Sequence, residues 1–274
     1  MRTRLNFTFH AMIAGAILCL LASCGKTDIT PDCGAQFCQI TSFEGDNYWW
    51  EGHVVNTLTY NKTGNPVLRT RSDVATGNEN ESYRYDAKQR LTDQILHYSD
   101  GSYGADFREW HRFKYHNNQD RPYMDSLYNN GTIGDHPIPY PFLEPLIIVI
   151  YFSYDAKGRL IEENSFFEDG TGWYKKKYLY NSANNLEKLA ASWGSTGWVV
   201  DTTYYGPYDN KINFLQTNKV WQLLTRNYSE NNTQTAVTYN KYGLPLQFPN
   251  DPKGKPVSFL DADLTNMKIV YKCK

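Results

Sequence analysis

Net charge is almost absent: 28 basic residues face 29 acidic ones, a formal balance of −1 at neutral pH. No basic stripe of the kind a phosphate backbone requires runs along the chain, which excludes nucleic acid as a partner. The apolar stretch at residues 11–22 is about a dozen residues long, where a spanning helix needs roughly 20. It reads instead as the core of a signal peptide. Cysteine is scarce, five in 274 residues, and no spacing is the tight paired arrangement of a structural zinc site.

Motifs that carry chemistry are equally sparse. Ser195 lies between Gly194 and Thr196 rather than in a nucleophile elbow, and the stretch ending at Gly197 lacks the lysine of a phosphate loop. Glu162 and Glu163 are adjacent on an expected strand, so they point to opposite faces and cannot work as a carboxylate pair. Asp261-Ala262-Asp263 lacks the glycine turn and distal glutamate of a calcium loop. His111 and His116 are separated by an odd spacing that also divides faces. These absences speak against an enzyme and require neither a metal nor another cofactor.

What is present begins at the N-terminus. Leu21-Ala22-Ser23-Cys24, behind the apolar run and Arg2 and Arg4, resembles the lipobox cleaved by bacterial lipoprotein signal peptidase. The resemblance implies removal of residues 1–23, acylation (diacylglyceryl and palmitate) of Cys24, and a membrane held as partner through that anchor. Several acyl chains, at roughly 0.8 kcal/mol per methylene, make such attachment effectively permanent. Gly25 rather than aspartate after the cysteine leans toward the outer membrane. On this reading residues 24–45 are a polar tether and 46–274 the folded domain. Loss of Arg2 and Arg4 leaves 26 basic residues against 29 acidic ones, a balance of −3. Cys33, Cys38 and Cys273 remain in an oxidising envelope, and three thiols cannot all pair. Cys33 and Cys38 can close a small loop, or either can reach Cys273.

The rest of the chain repeats itself. An aromatic-x-Tyr pair followed by Asp or Asn recurs at Tyr60, Tyr85, Tyr115, Tyr154, Tyr180, Tyr208 and Tyr239, with His116 replacing the acid or amide once and the leading aromatic varying. The intervals are 25, 30, 39, 26, 28 and 31 residues. Asp or Asn opens a turn with its side chain, and four positions after the tyrosine a residue able to take positive φ closes it. Gly64, Gly158, Asn184 and Gly243 meet that requirement; Gln89, Gln119 and Ile212 do not, so those turns are expected to differ. Leu91, Leu160 and Leu186 then restart an alternating strand. The fold class is therefore all-β: about seven antiparallel hairpin units of roughly 30 residues, on the order of a dozen strands, in a meandering twisted sheet, shell or sandwich. One short helix is expected at residues 219–227, and the apolar run at 146–150 reads as a strand buried on both faces.

The run Tyr154-Asp155-Ala156-Lys157-Gly158-Arg159-Leu160 resembles the tyrosine-aspartate (YD) repeats of Rhs and teneurin-type β shells. With the lipobox, the segment Tyr208-Asp209-Asn210-Lys211-Ile212-Asn213 and the pair Asn231-Asn232, the chain resembles bacteroidete lipoproteins of unknown function. This resemblance implies a location and a fold rather than an activity.

Aromatics are 15% of the chain, with 22 tyrosines and seven tryptophans. Most stabilise a sheet through cross-strand packing. Trp49, Trp50, Trp110, Trp193 and Trp198 flank turns or occur in pairs and are the candidate ligand-facing rings, since a ring face receives a sugar while its edge reaches polar groups. The insertion between Tyr115 and Tyr154 holds four prolines and presents Ile138, Tyr140 and Phe142, either to a partner or over the open end of the sheet. The expected role is non-catalytic binding of glycan or another envelope component. Its alternatives are a scaffold or accessory subunit docking on an envelope protein complex, and an envelope hydrolase.

Overall fold

The computed structural model describes residues 38–47, 51–99, 101–102, 104–133, 140–141, 148–167, 169–170, 172–194, 198–234, 236–250 and 258–274, with the backbone alone at 140–141 and 198–200. Cys24, Cys33, Trp49, Trp50, Ile138 and Phe142 lie outside the described residues, as do the side chains of Tyr140 and Trp198.

Alternating sequence produces the strands in chain order: β1 (Cys38–Asp46), β2 (His53–Tyr60), β3 (Pro66–Arg71), β4 (Asn80–Tyr85), β5 (Leu91–His97), β6 (Asp106–Tyr115), β7 (Pro122–Thr132), β8 (Tyr140–Pro141), β9 (Ile148–Tyr154), β10 (Leu160–Phe167), β11 (Trp173–Tyr180), β12 (Leu186–Trp193) and β13 (Trp198–Tyr204). A 3-10 turn (Phe214–Thr217) and helix α1 (Lys219–Thr225) follow. The chain ends in β14 (Thr238–Tyr239), β15 (Pro245–Gln247), β16 (Ser258–Phe259), β17 (Ala262–Asp263) and β18 (Lys268–Cys273). Sixteen strands form one open sheet in the order β13-β12-β11-β10-β9-β7-β6-β5-β4-β3-β2-β1-β18-β15-β14, with β8 on β7, while β16 and β17 pair separately. The meander expected from the repeat is thus a single antiparallel sheet, neither a sandwich nor a closed barrel. It starts at Cys38, inside the stretch read from sequence as tether.

The repeated turn has one chemistry. Asp86 Oδ1 accepts from the backbone N–H groups of Lys88 and Arg90, both at 2.9 Å, and Asp155 Oδ1 from those of Lys157 and Arg159. Asn61, Asn181 and Asn240 do the same for the groups two and four residues on. The closing residue takes positive φ at Gly64, Gly158, Asn184 and Gly243. Gln89 does so too, at φ 62°, contrary to the sequence expectation. The two bonds to Asp86 fix the turn, and Gln89 Oε1 accepts from Thr63 Oγ1 at 2.6 Å and Asn65 Nδ2 at 3.2 Å, offsetting a penalty of about 1–2 kcal/mol. Gln119 and Ile212 stay out of the left-handed region, as expected. At the former, His116 offers no carboxylate or amide oxygen to cap the turn.

Four of the repeats also reach their predecessors through the tyrosine hydroxyl, whereas the hydroxyls of Tyr154 and Tyr180 are buried without such a partner. The hydroxyls of Tyr60, Tyr85 and Tyr115 donate to the carbonyls of Ile40, Pro66 and Leu91 at 2.6, 2.6 and 2.7 Å. Tyr208 donates to the Leu186 carbonyl, and Tyr271 to that of Pro245 at 2.9 Å. Arg90 and Arg159 hold Asp86 and Asp155 and lay their guanidinium groups over the next tyrosines, Tyr115 and Tyr180, at 4.5 and 4.3 Å.

One core cluster joins Phe43 of β1, Leu58, Tyr83, Phe113, Phe152, Tyr178 and Leu186 of β12 to Phe214, Trp221, Phe248 and Phe259 of the C-terminal segment. Laid flat, β1 and β12 would stand some 50 Å apart at ~4.8 Å per strand, so sharing one core requires the sheet to curl around that segment. Helix α1, too short to persist alone, is capped by the Asn218 side chain at Val220 N–H and buries Trp221 completely. It ends at Thr225, earlier than expected, because Arg226 takes a left-handed φ of 55°. A second layer on the outer face forms over Ile95, Phe107, Trp110 and Ile133. It was expected near 146–150, but there Ile148 to Ile150 are only half-buried and Tyr151 is exposed.

Of the open cysteine pairings, the structure makes Cys38–Cys273, bonding β1 to β18 across 235 residues of chain. Closing so long a loop is worth about 2–5 kcal/mol. Cys273→Ser is therefore expected to lower the unfolding free energy measured in urea by that amount, and an unchanged midpoint would mean the two ends are held by strand pairing alone.

Candidate functional site

Polar groups lie inside the curl. Antiparallel register places Arg69 with Glu81, Phe113 with Asp125 and Phe152 with Glu163 on the inner face, where Arg69, Glu81, Asp125 and Glu163 are all buried. Two charged seams result. In the first, Arg226 enters from the end of α1: its Nε donates to Glu163 Oε1 at 2.6 Å, its Nη2 lies 3.5 Å from Asp125 Oδ2, and its guanidinium covers the Phe152 ring at 4.7 Å. Glu163 also accepts from the Tyr178 hydroxyl at 2.9 Å. His111 Nδ1 stands 2.8 Å from Asp125 Oδ2, and its Nε2 3.8 Å from Glu109 Oε2. Burial works against the imidazolium, yet Asp125 and Glu109 outweigh it and raise the His111 pKa to about 9.

The second seam reverses the signs. The sheet supplies Arg69, fully buried and paired with Glu81, and the C-terminal segment answers with Asp261 at 3.4 Å and the Leu260 carbonyl at 2.7 Å. Asp261 also lies 3.7 Å from Arg71, so this carboxylate serves the sheet contact. His111 and His116 stay apart, the latter stacking on Tyr123 at 4.1 Å. Glu162 faces outward to Lys175 at 3.0 Å while Glu163 faces in, as their adjacency implied. Among the described residues no group of three His, Cys, Asp or Glu side chains is arranged to hold a metal ion.

Two concavities border the C-terminal segment. One, of about 210 Å³, lies between β11–β12 and that segment, with Lys176, Tyr178, Leu189, Tyr205, Asn213, Asn227 and Arg226 in its wall. Further along the same face of β11 and β12, Tyr174 and Trp193 stand opposite each other with rings 5.8 Å apart, and Trp193 is 51% exposed. The other, of about 340 Å³, sits at the turn ends of the hairpins.

The candidate tryptophans thus separate. Trp193 is an exposed ring at the end of β12, outside the wall of the cavity, with the Trp198 backbone paired to it on β13. Trp110 is corrected: it is fully buried in the outer-face cluster, its Nε1 donating to Asp93 at 2.8 Å, with Arg84 over its ring at 5.0 Å. Alternation set its face, but not that the outer face is covered there. Neither Arg226 nor Asp125 stands out in the sequence; for Asp125 the available signal was a charged residue at an inward position of a strand, while Arg226, at the end of the helix, offers none.

Two outcomes follow. Arg226→Met leaves the buried Glu163 without its close cation and Asp125 with His111 alone, so a loss of about 3 kcal/mol is expected in chemical denaturation; a loss under 1 kcal/mol would mean the seam is solvated. Because the folded His111 value lies above the ordinary imidazole value of 6.5, its contribution is complete below that pH and is lost as pH rises to about 9. Stability should decline across this window in the parent chain and stay flat there in His111→Gln.

No family model matches the chain, and no curated protein matches it. Among solved structures it is similar to the crystal structures of TcdB2-TccC3-TEV (TM-score 0.28, 13% identity, 72% of this chain and 10% of that one) and TcdB2-TccC3-Cdc42 (TM-score 0.21, 14% identity, 59% and 10%). The crystal structure of TcdB2-TccC3 follows, with a TM-score of 0.20 and 12% identity over 58% of this chain and 10% of that one. The chain spans about a tenth of each, and at these scores the likeness carries no argument about activity or partners.

Proposed function

We propose that the protein is a non-catalytic binding module for glycan, held at the bacterial outer membrane through acylated Cys24. The observation that carries the binding reading is Trp193: a large ring, 51% exposed, beside Tyr174 on the same sheet face as a cavity whose wall includes Asn213, Asn227, Tyr178 and Tyr205. An apolar ring face next to hydrogen-bonding groups suits the alternating C–H and O–H surfaces of a sugar. The Cys38–Cys273 disulfide supports an oxidising compartment, in keeping with the lipobox-like motif. A second reading, docking on an envelope protein, is favoured by β13, which among the described residues pairs with β12 alone.

Affinity electrophoresis of the chain against a panel of polysaccharides tests the first reading. Retardation should appear on at least one polymer and weaken about tenfold, or about 1.4 kcal/mol, in Trp193→Ala. A double change of Trp49 and Trp50 to alanine examines the other exposed pair expected from sequence. If no polymer retards the parent chain, the glycan reading fails and edge docking takes its place.

A further inference from the structure

The turn-end recess is built from parts of the chain far apart in sequence. Arg121 comes from the β6–β7 connection, Lys157 and Arg159 from the β9–β10 turn, Asn184 from the β11–β12 turn, and Gln222, Tyr228 and Glu230 from α1 and the segment after it. Its volume of about 340 Å³ is at the small end of ordinary ligand sites, which run from ~300 to ~1,000 Å³.

Its charges do not cancel internally. Arg159 is bound to Asp155 at 2.6 Å and lies on the Tyr180 ring, so it is already satisfied. Lys157 is exposed, and its ammonium donates to the Asn184 side-chain oxygen at 2.5 Å, a neutral partner. Arg121 is exposed and pairs with no carboxylate among the described residues; it lies 5.9 Å from the Tyr154 ring centroid and is packed on Gly158. A Cβ at Gly158 would come within 2.2 Å of the Arg121 Cζ, so this glycine, already needed for its φ of 75°, also admits the guanidinium. Glu230, half-buried across the recess, accepts from Asn184 Nδ2 at 2.7 Å.

Two cations without acidic partners beside one carboxylate define the ligand. A bare inorganic anion would satisfy Arg121 and Lys157 but meet Glu230 with repulsion. A neutral sugar would offer hydroxyls to Glu230 and the Gln222 amide but leave both cations unused. A ligand bearing a carboxylate and several hydroxyls on one small ring satisfies both sets, with the Tyr228 ring as an apolar wall. We infer that this recess is a subsite for an acidic sugar, its carboxylate on Arg121 and Lys157 and its hydroxyls on Glu230 and Gln222. This rests on the glycan reading and adds to it a second contact point and a sign of charge.

The test is calorimetric titration of the full chain, in non-ionic detergent at physiological salt, with short oligomers of galacturonate, mannuronate and hyaluronan. Neutral galactose and mannose oligomers and inorganic sulfate serve as comparison. At least one acidic oligomer should bind tenfold or more tighter than its neutral counterpart, and Arg121→Gln with Lys157→Gln should remove that advantage. Both positions are exposed, and matching thermal melts will confirm that the variant folds. Glu230→Gln should weaken the acidic oligomer while strengthening sulfate. If acidic and neutral oligomers bind equally, or the double variant binds like the parent, the subsite is overturned while glycan binding stands. Sulfate binding as tightly as the best oligomer overturns it in favour of a plain anion site. If no oligomer binds, and no polysaccharide retards the chain, both readings fall together.

Discussion

The bond from a repeat's tyrosine hydroxyl to a carbonyl of the preceding hairpin, made at Tyr60, Tyr85, Tyr115 and Tyr208, is the constraint on which the sheet's geometry depends. A two-stranded hairpin of this size buries too little to stand alone, and strand pairing by itself would not fix how far each unit is displaced from the last. The hydroxyls of Tyr60, Tyr85 and Tyr115 set that displacement by reaching Ile40, Pro66 and Leu91 at nearly one distance. Burial raises the pKa of all three, so they remain donors throughout the physiological range. The capped turn beside each tyrosine serves the same end, because the backbone irregularity between the tyrosine and the residue before it recurs in the hairpins at Tyr60, Tyr85, Tyr115 and Tyr180. Repetition of one local geometry accumulates into a curl.

What fills the curl is not repetitive. The C-terminal segment is keyed to the sheet by two ionic contacts of opposite polarity, an arginine entering among sheet carboxylates at Arg226 and a carboxylate meeting sheet arginines at Asp261. Buried ion pairs of this kind add little net stability, since desolvation offsets most of the attraction, yet a mismatched pairing is strongly unfavourable. Their consequence is registry: shifting the segment so that Arg226 approached Arg69 would place two cations in one apolar interior. The aromatic contacts of Trp221 with Tyr83 and Phe259 supply area, and the seams supply position.

The sequence displays the sheet clearly and the segment inside it poorly, for a physical reason. Turn capping by Asp86, Asp155 or Asn181 is decided within five residues, so it is visible in a single string, as is the alternation running into Tyr180. Gln89 shows the limit even there, since its left-handed backbone is enforced by Thr63 and Asn65 from the neighbouring turn. Contacts such as Arg226 to Asp125 or Cys38 to Cys273 span 101 and 235 residues and leave no local pattern. Trp110 was grouped with tryptophans that flank turns or occur in pairs, but it lies in the middle of β6, and nothing in its immediate sequence shows that the outer face is covered there. Trp193 was read as exposed because it ends a strand beside a glycine turn, a local fact.

The division between frame and filling also decides where recognition can reside. Because the interior is occupied by Trp221, Phe248 and Phe259, the open space among the described residues lies at the margins where sheet and segment come together. Both concavities lie on such margins, and each draws part of its wall from the sheet and part from residues 213–230. Within that short stretch, Asn213, Arg226 and Asn227 face one cavity while Gln216, Gln222, Tyr228 and Glu230 face the other. Substitution at the turn-capping Asp or Asn or at the tyrosines would disturb the frame, whereas exposed positions of the turns and of this segment can change without altering the curl. On this arrangement the repeats supply a frame of fixed geometry together with the exposed side chains of their turns, such as Arg121 and Lys157, and the one part of the chain that does not repeat supplies the facing wall of both concavities.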